Sequence, residues 1–184
     1  MSPDLEPAAD ILASLTSQDP RPYMTVDFGR QQQDGAVSVV VSENRGESLV
    51  RQLQDQLPDG LVGFIGTTRW LGEERHDGVE LVAGPGDTQI DIVRLARTDA
   101  INYGMETEEV AEKLSEWDER FGIRITQAET DTVQFDLVGY PDDLHTFAEE
   151  LADFCPDIVH QGVGSVDRLV DMLDVTGRVT LWWD

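Results

Sequence analysis

The run TEEVAEKLSEWDERFGIRITQAETDTVQFDLV, Thr107–Val138, changes its hydrophobic period partway along and so decides the fold class. Its first half carries Val110, Leu114, Trp117 and Phe121 at i, i+4, i+7 and i+11, one apolar stripe of a helix. Thr107 is placed to cap that helix, and Glu108 and Glu109 suit the positive end of its dipole. Gly122 closes it. The second half then alternates: Ile123–Ala128 and Thr132–Val138 read as a hairpin, with Val133, Phe135 and Leu137 on one face.

Working outward, Ile90–Ala96 is a β-branched run that reads as a strand. Pro141 suits a first helical position, and Leu144, Phe147, Leu151 and Phe154 form a second helical stripe. A short helix with Val166, Leu169, Val170 and Leu173 apolar follows, and Gly177 precedes a last strand, Arg178–Trp183. Residues 89–184 thus predict β-α-β-β-α-(α)-β, the ferredoxin-like order with an extra helix. Residues 36–88 predict a smaller β-α-β-β half: Val37–Val41, the helical face of Glu47–Leu57, Leu61–Ile65 and Val79–Ala83. Residues 1–35 read as an N-terminal extension, with Leu5, Ile11, Leu12 and Leu15 on one amphipathic helix stopped by Pro20 and Pro22. The class is α+β.

Composition narrows the habitat. The 184 residues hold 37 acidic and 13 basic side chains, a net charge of −24. Of the basic residues 12 are Arg, Lys113 is the sole lysine, and Asp outnumbers Glu by 22 to 15. Self-repulsion of this size weakens a compact state in dilute buffer, and molar salt, with a Debye length of roughly 3 Å, screens it. Acidic, Asp-rich, Lys-poor and still patterned is the signature of a halophilic cytosolic protein. The same excess speaks against binding to nucleic acid, which requires clustered Lys and Arg. One cysteine excludes an internal disulfide and a cysteine-based zinc site. The sequence contains neither an apolar run of about twenty residues nor a basic-then-apolar start, so no membrane association is expected, and the expected location is cytoplasmic.

Candidate chemistry concentrates in CPDIVHQGVGSVDRL, Cys155–Leu169. Cys155 closes an apolar helical stripe beside Pro156, where a cysteine serves as a small hydrophobe. As a nucleophile it would need His160 folded back upon it. The run Gly162-Val163-Gly164-Ser165 imitates a dinucleotide fingerprint, but Asp167 stands where the third glycine belongs. A glycine turn with Ser165 as N-cap accounts for the same residues. His76, His145 and His160 come from separate segments without metal-ligand spacing, so no metal and no cofactor is expected. Adjacent carboxylates such as Asp142-Asp143, Glu149-Glu150 and Glu108-Glu109 point about 100° apart on a helix and read as solvated faces. Trp182 and Trp183 must point to opposite faces of their strand, and Trp70 beside Arg69 is a further candidate contact.

Three blocks resemble the bacterial and archaeal family called domain of unknown function 4253, in a haloarchaeal-type member. They are Asn102-Tyr103-Gly104 with the helix ending Glu116–Gly122, Phe154–Val159 with Gln161–Val166, and the terminal Leu181-Trp182-Trp183-Asp184. Together they cover roughly residues 76–184, and the Phe64–Trp70 block extends the likeness. His160 departs from the pattern, which has an acidic residue there. The resemblance implies a fold without a catalytic residue or cofactor, and settings of similar sequences imply toxin neutralisation, an immunity-like role.

The resulting expectation is a non-enzymatic protein-interaction module whose partner is an unknown protein or a second copy. Its surface combines Asn102, Tyr103, Cys155, Asp157, His160, Gln161, Gly162, Gly164, Trp182 and Trp183. The alternative is a small-ligand-binding protein, or a hydrolase or transferase using Cys155 and the 162–165 loop, with an anion at the helix start. The charge reading makes a prediction of its own. The thermal midpoint should rise between dilute buffer and molar potassium chloride, and a midpoint unmoved by salt would refute it.

Overall fold

A computed structural model describes residues 5–26, 30–66 and 78–183. Its elements are α1 (Glu6–Thr16), β1 (Arg21–Val26), β2 (Arg30–Val41), α2 (Glu43–Gln56), β3 (Leu61–Ile65), β4 (Val79–Pro85) and α3 (Asp91–Ala96). After a 3-10 turn at Ile101–Tyr103 come α4 (Thr107–Phe121), β5 (Ile123–Ala128), β6 (Thr132–Leu137) and α5 (Leu144–Phe154). A π turn at Ile158–Val163, α6 (Val166–Thr176) and β7 (Arg178–Trp182) complete the chain. One seven-stranded mixed sheet runs β1-β2-β4-β3-β5-β6-β7, so the fold is α+β.

The sheet is covered on both faces. Successive residues of a strand point to opposite sides, and β4 shows it: Val82 joins one core while Leu81 and Ala83 join the other. Leu12 of α1 and Leu49, Val50 and Leu53 of α2 pack on the second. The first and larger core gathers α3, α4, α5 and α6 over β5, β6 and β7. Trp117 lies at its centre, fully buried, with Phe147 and Phe154 edge-on at 5.5 and 5.4 Å. Its indole N–H donates to Glu150 at 3.2 Å, so the one polar atom of the ring is paired at the core's margin.

Several sequence expectations are met. The 123–138 hairpin, the α4 stripe, the Ser165-capped helix and the four elements between 37 and 85 all form. Others are corrected. Ile90–Ala96 is not a strand: Asp91–Ala96 is α3, with Ile92, Val93 and Ala96 buried along one helical face. A short β-branched apolar run fits either element, and the Asp91 carboxylate tips the balance. It accepts the N–H groups of Asp87 at 2.8 Å and Thr88 at 3.1 Å and pairs with Arg94 at 2.8 Å, which fixes a helix start. Without that strand the ferredoxin-like interleaving is absent; β5, β6 and β7 are antiparallel neighbours in chain order. Glu106 rather than Thr107 caps α4, in a capping box with Glu109. Asp143, not Pro141, starts α5 by accepting the N–H and hydroxyl of Thr146 and the N–H of His145, which hold its carboxyl below the usual carboxylate range. Residues 21–26 and 30–41 pair as a hairpin, β1 with β2, that lengthens the sheet.

The two groups of strands meet at β3 and β5, and there, among the described residues, the backbone ladder is one parallel partnership, Ile65 with Gln127. Side-chain amides fill the gap. Gln54 of α2 donates to Gly63 O at 2.8 Å and Ile125 O at 2.7 Å, one acceptor on each strand. Gln89 donates to Ile123 O at 2.7 Å and accepts from Ile125 N–H at 2.8 Å. Asp118 accepts the Ile123 N–H at 2.9 Å. On the α2 side, Arg124 reaches Gln54 at 2.7 Å, and Arg178 binds both Asp136, at 2.9 Å, and Glu47. Among the described residues no helix is long and apolar enough to cross a membrane.

Replacing Gln89 by Ala strands a carbonyl and an N–H of β5. The expected loss is about 1–3 kcal/mol per orphaned group, read as a lower denaturant midpoint with an unchanged slope. A neutral Gln89→Ala would show that the joint is held by packing alone.

Candidate interaction surface

The stretch from Cys155 folds as a tight knot on the end of β7. The N–H of His160 bonds back to Pro156 at 2.9 Å, and the chain then widens into a π turn closed by Gly164 N–H to Val159 O at 2.8 Å. π turns often sit at functional positions. Gly162 permits this one: a Cβ there would meet the Trp182 ring at 2.8 Å. Gly164, with φ of 87°, ends the turn in the left-handed region, and Ser165 then caps α6 by accepting Arg168 N–H at 3.3 Å. The two glycines thus serve geometry.

Asp157 is the pivot of the site. Its carboxylate is buried, at 5% exposure, and accepts the Tyr103 hydroxyl at 2.8 Å and the Gln161 amide at 3.0 Å. One group therefore ties the 3-10 turn to the π turn across 54 positions of sequence. Ile101, Asn102 and Tyr103 remain on the surface, Ile101 at 68% and Tyr103 at 40% exposure. His160 and Gln161 flank them as exposed residues.

Cys155 is fully buried, and its thiol donates to the Trp182 carbonyl at 3.0 Å. Burial pushes its pKa up, away from the thiolate that nucleophilic catalysis needs. His160 is exposed while Cys155 is sealed in the core, the reverse of an activated pair. Trp183 is buried, stacked edge-on against Phe154 at 5.6 Å with its indole N–H donating to Phe154 O. Trp182 faces the other side, half-buried beneath Gly162. The opposed tryptophans are as the strand period requires.

The structure thus brings together Tyr103, Cys155, Asp157, Gln161, Gly162 and Trp182, and leaves Asn102, His160 and Gly164 on the exposed rim. Trp70, Arg69, His76 and Asp184 lie outside the described residues. A feature with no sequence signal adjoins the cluster. Between the π turn, α6 and β7 runs a groove of about 420 Å³, lined by Ile158, Val163, Met172 and Trp182 with Arg178 and Thr180 of the strand. It adjoins β7, the last strand of the sheet, a position that one sequence does not disclose. A second cavity of about 360 Å³ lies near Arg120 and Asp143, whose charges are engaged with Glu150 and with the start of α5. Among the described residues no three His, Cys, Asp or Glu side chains are grouped to hold a metal.

A family model described as Domain of unknown function (DUF4253) matches residues 80–184, which span β4 to the end of the chain. No curated protein and no solved structure matches.

Burial sets the expected behaviour of the thiol. Iodoacetamide should modify Cys155 at least about a hundredfold more slowly in the folded chain than in denaturant, as befits a packed and protonated sulfur. Equal rates would restore it as a candidate nucleophile.

Proposed function

The chain belongs to the DUF4253 family, and we propose that it is a non-enzymatic protein-interaction module of a halophilic cytosol, with an immunity-like task of binding and masking another protein. The observation that carries this reading is the Asp157 clamp. A buried carboxylate spends both oxygens on holding two surface turns in one geometry, and the turns present Ile101, Asn102, Tyr103 and Gln161 outward. Binding costs less when the docking loops are already ordered. Exposed large apolar and tyrosyl side chains on a fixed scaffold are the usual anchors of a protein interface. The sealed state of Cys155 favours this reading over acyl or group transfer through the thiol.

The test is affinity capture of the tagged chain from lysate of its source organism at molar potassium chloride, beside a Tyr103→Ala/Gln161→Ala double variant. A single stoichiometric protein retained by the native chain and lost from the variant, with capture run well below the variant's own melting temperature because the clamp is weakened, is the expected result. Retention by both overturns the assignment of the surface.

A further inference from the structure

Resting on the interaction reading, we propose that β7 is completed by a strand from its partner: an extended, cationic segment that adds to the open edge of the sheet and lays alternate apolar side chains in the adjoining groove.

The register identifies which backbone groups are open. Leu137 N–H donates to Gly177 O and Trp183 N–H to Asp131 O, so the odd-numbered residues of this stretch turn their polar groups toward β6. The even-numbered ones, Arg178, Thr180 and Trp182, turn theirs outward. The ends of that outward row are already closed from within the chain. The Thr176 hydroxyl accepts Arg178 N–H at 3.2 Å, and the Cys155 thiol donates to Trp182 O at 3.0 Å. Between these closures stand Arg178 C=O, Thr180 N–H, Thr180 C=O and Trp182 N–H, for which no partner exists among the described residues. Four alternating groups over a five-residue strand form a slot for one short extended chain. An edge left in this state invites pairing. At the other edge of the sheet, β1 carries Pro22, which has no N–H to offer.

Side chains and charge define the occupant. Successive residues of an added strand alternate in direction, and the groove offers one set of them Ile158, Val163, Met172 and Trp182. The other set meets an acidic field. Asp167, Asp171 and Asp174 are exposed on α6 against Arg168 alone, Asp131 is exposed at the far end, and Arg178 is already held by Glu47 and Asp136. With a net charge of −24, the chain draws a Lys- or Arg-bearing segment and repels a second copy of itself.

The test uses a fluorescein-labelled peptide, acetyl-Lys-Val-Lys-Val-Lys-Val-Lys-amide, and an equally charged peptide whose central Val is Pro. Both are titrated at the lowest salt at which melting shows the chain folded. Saturable binding of the first, weakened about tenfold or more for the proline-broken peptide, is expected, because only one of them offers a full strand edge. Thr180→Pro, which removes an outward N–H and no backbone bond to β6, should weaken binding equally, and Thr180→Val, which keeps that N–H but likewise loses the hydroxyl's bond to Gln134, should bind as the native chain does. Amide exchange at Thr180 and Trp182 should slow about tenfold or more on peptide binding. Should Thr180→Pro fail to fold, the paired peptides make the same comparison on the native chain. Equal binding of both peptides, absence of saturable binding, or unprotected Thr180 and Trp182 amides would overturn the proposal. A native dimer that Thr180→Pro dissolves would assign the edge to a second copy and overturn it as well. A captured partner kept by Thr180→Pro but lost from the Tyr103→Ala/Gln161→Ala variant would remove strand addition and leave the interaction surface standing. A partner lost from neither would remove both.

Discussion

The joint between β3 and β5 is the constraint on which the rest of the architecture depends. Parallel neighbours need long crossovers, and here, among the described residues, Ile65 with Gln127 is the one ladder pair between the two strands. A lapse in a ladder leaves buried N–H and C=O groups that cost free energy unless paired. Gln54 and Gln89 supply the missing donors and acceptors from outside the strands. Gln54 comes from α2 and Gln89 from the turn before α3. The joint therefore couples three things at once: the sheet, the placement of α2 on one face, and the start of α3 on the other.

From that joint outward the remaining strands follow in antiparallel order, and the last of them, among the described residues, has only one neighbour. The position of β7 is fixed by side chains on both of its faces. Val179 and Leu181 lie in the larger core, while Arg178 is tied through Glu47 to α2. The edge is thus held rigid by the same contacts that unite the chain. The knot of Cys155 to Gly164 settles against it because Gly162 lets backbone lie on the Trp182 ring and because the thiol reaches the Trp182 carbonyl. Tyr103 then joins through Asp157. The surface is thus assembled from three distant segments bonded to one another at the end of the sheet.

The acidic surface and this architecture are compatible because the scarce arginines are used where strands and helices meet. Arg178, Arg124 and Arg51 sit between α2 and the β5–β7 face, and Arg120 fastens α4 to Glu150 of α5. Guanidinium groups, with several donors in a plane, suit such shared roles better than a single ammonium. Against 37 acidic side chains these few arginines leave a net charge of −24, and the outward field is negative for that reason.

Much of this was legible in the chain alone. The helix over 107–121, the 123–138 hairpin, the 37–85 elements and the opposed directions of Trp182 and Trp183 follow from hydrophobic period, because a helix and a strand each expose their own repeat. The family likeness over the second half was legible in ordered blocks such as Phe154–Val166, and so was the buried nature of Cys155, from its place at the end of an apolar stripe. The helix at Asp91–Ala96 was not, because six residues, four of them apolar, carry too little of either period and an aspartate bonded to the preceding turn settled it. Nor was the pairing of Asp157 with Tyr103, the relief of the β3–β5 gap by Gln54 and Gln89, or the open side of β7. Composition and period are local properties that a sequence determines directly. Which strand ends a sheet, and which polar groups then face outward, depends on contacts between distant residues, and only the packed chain decides them.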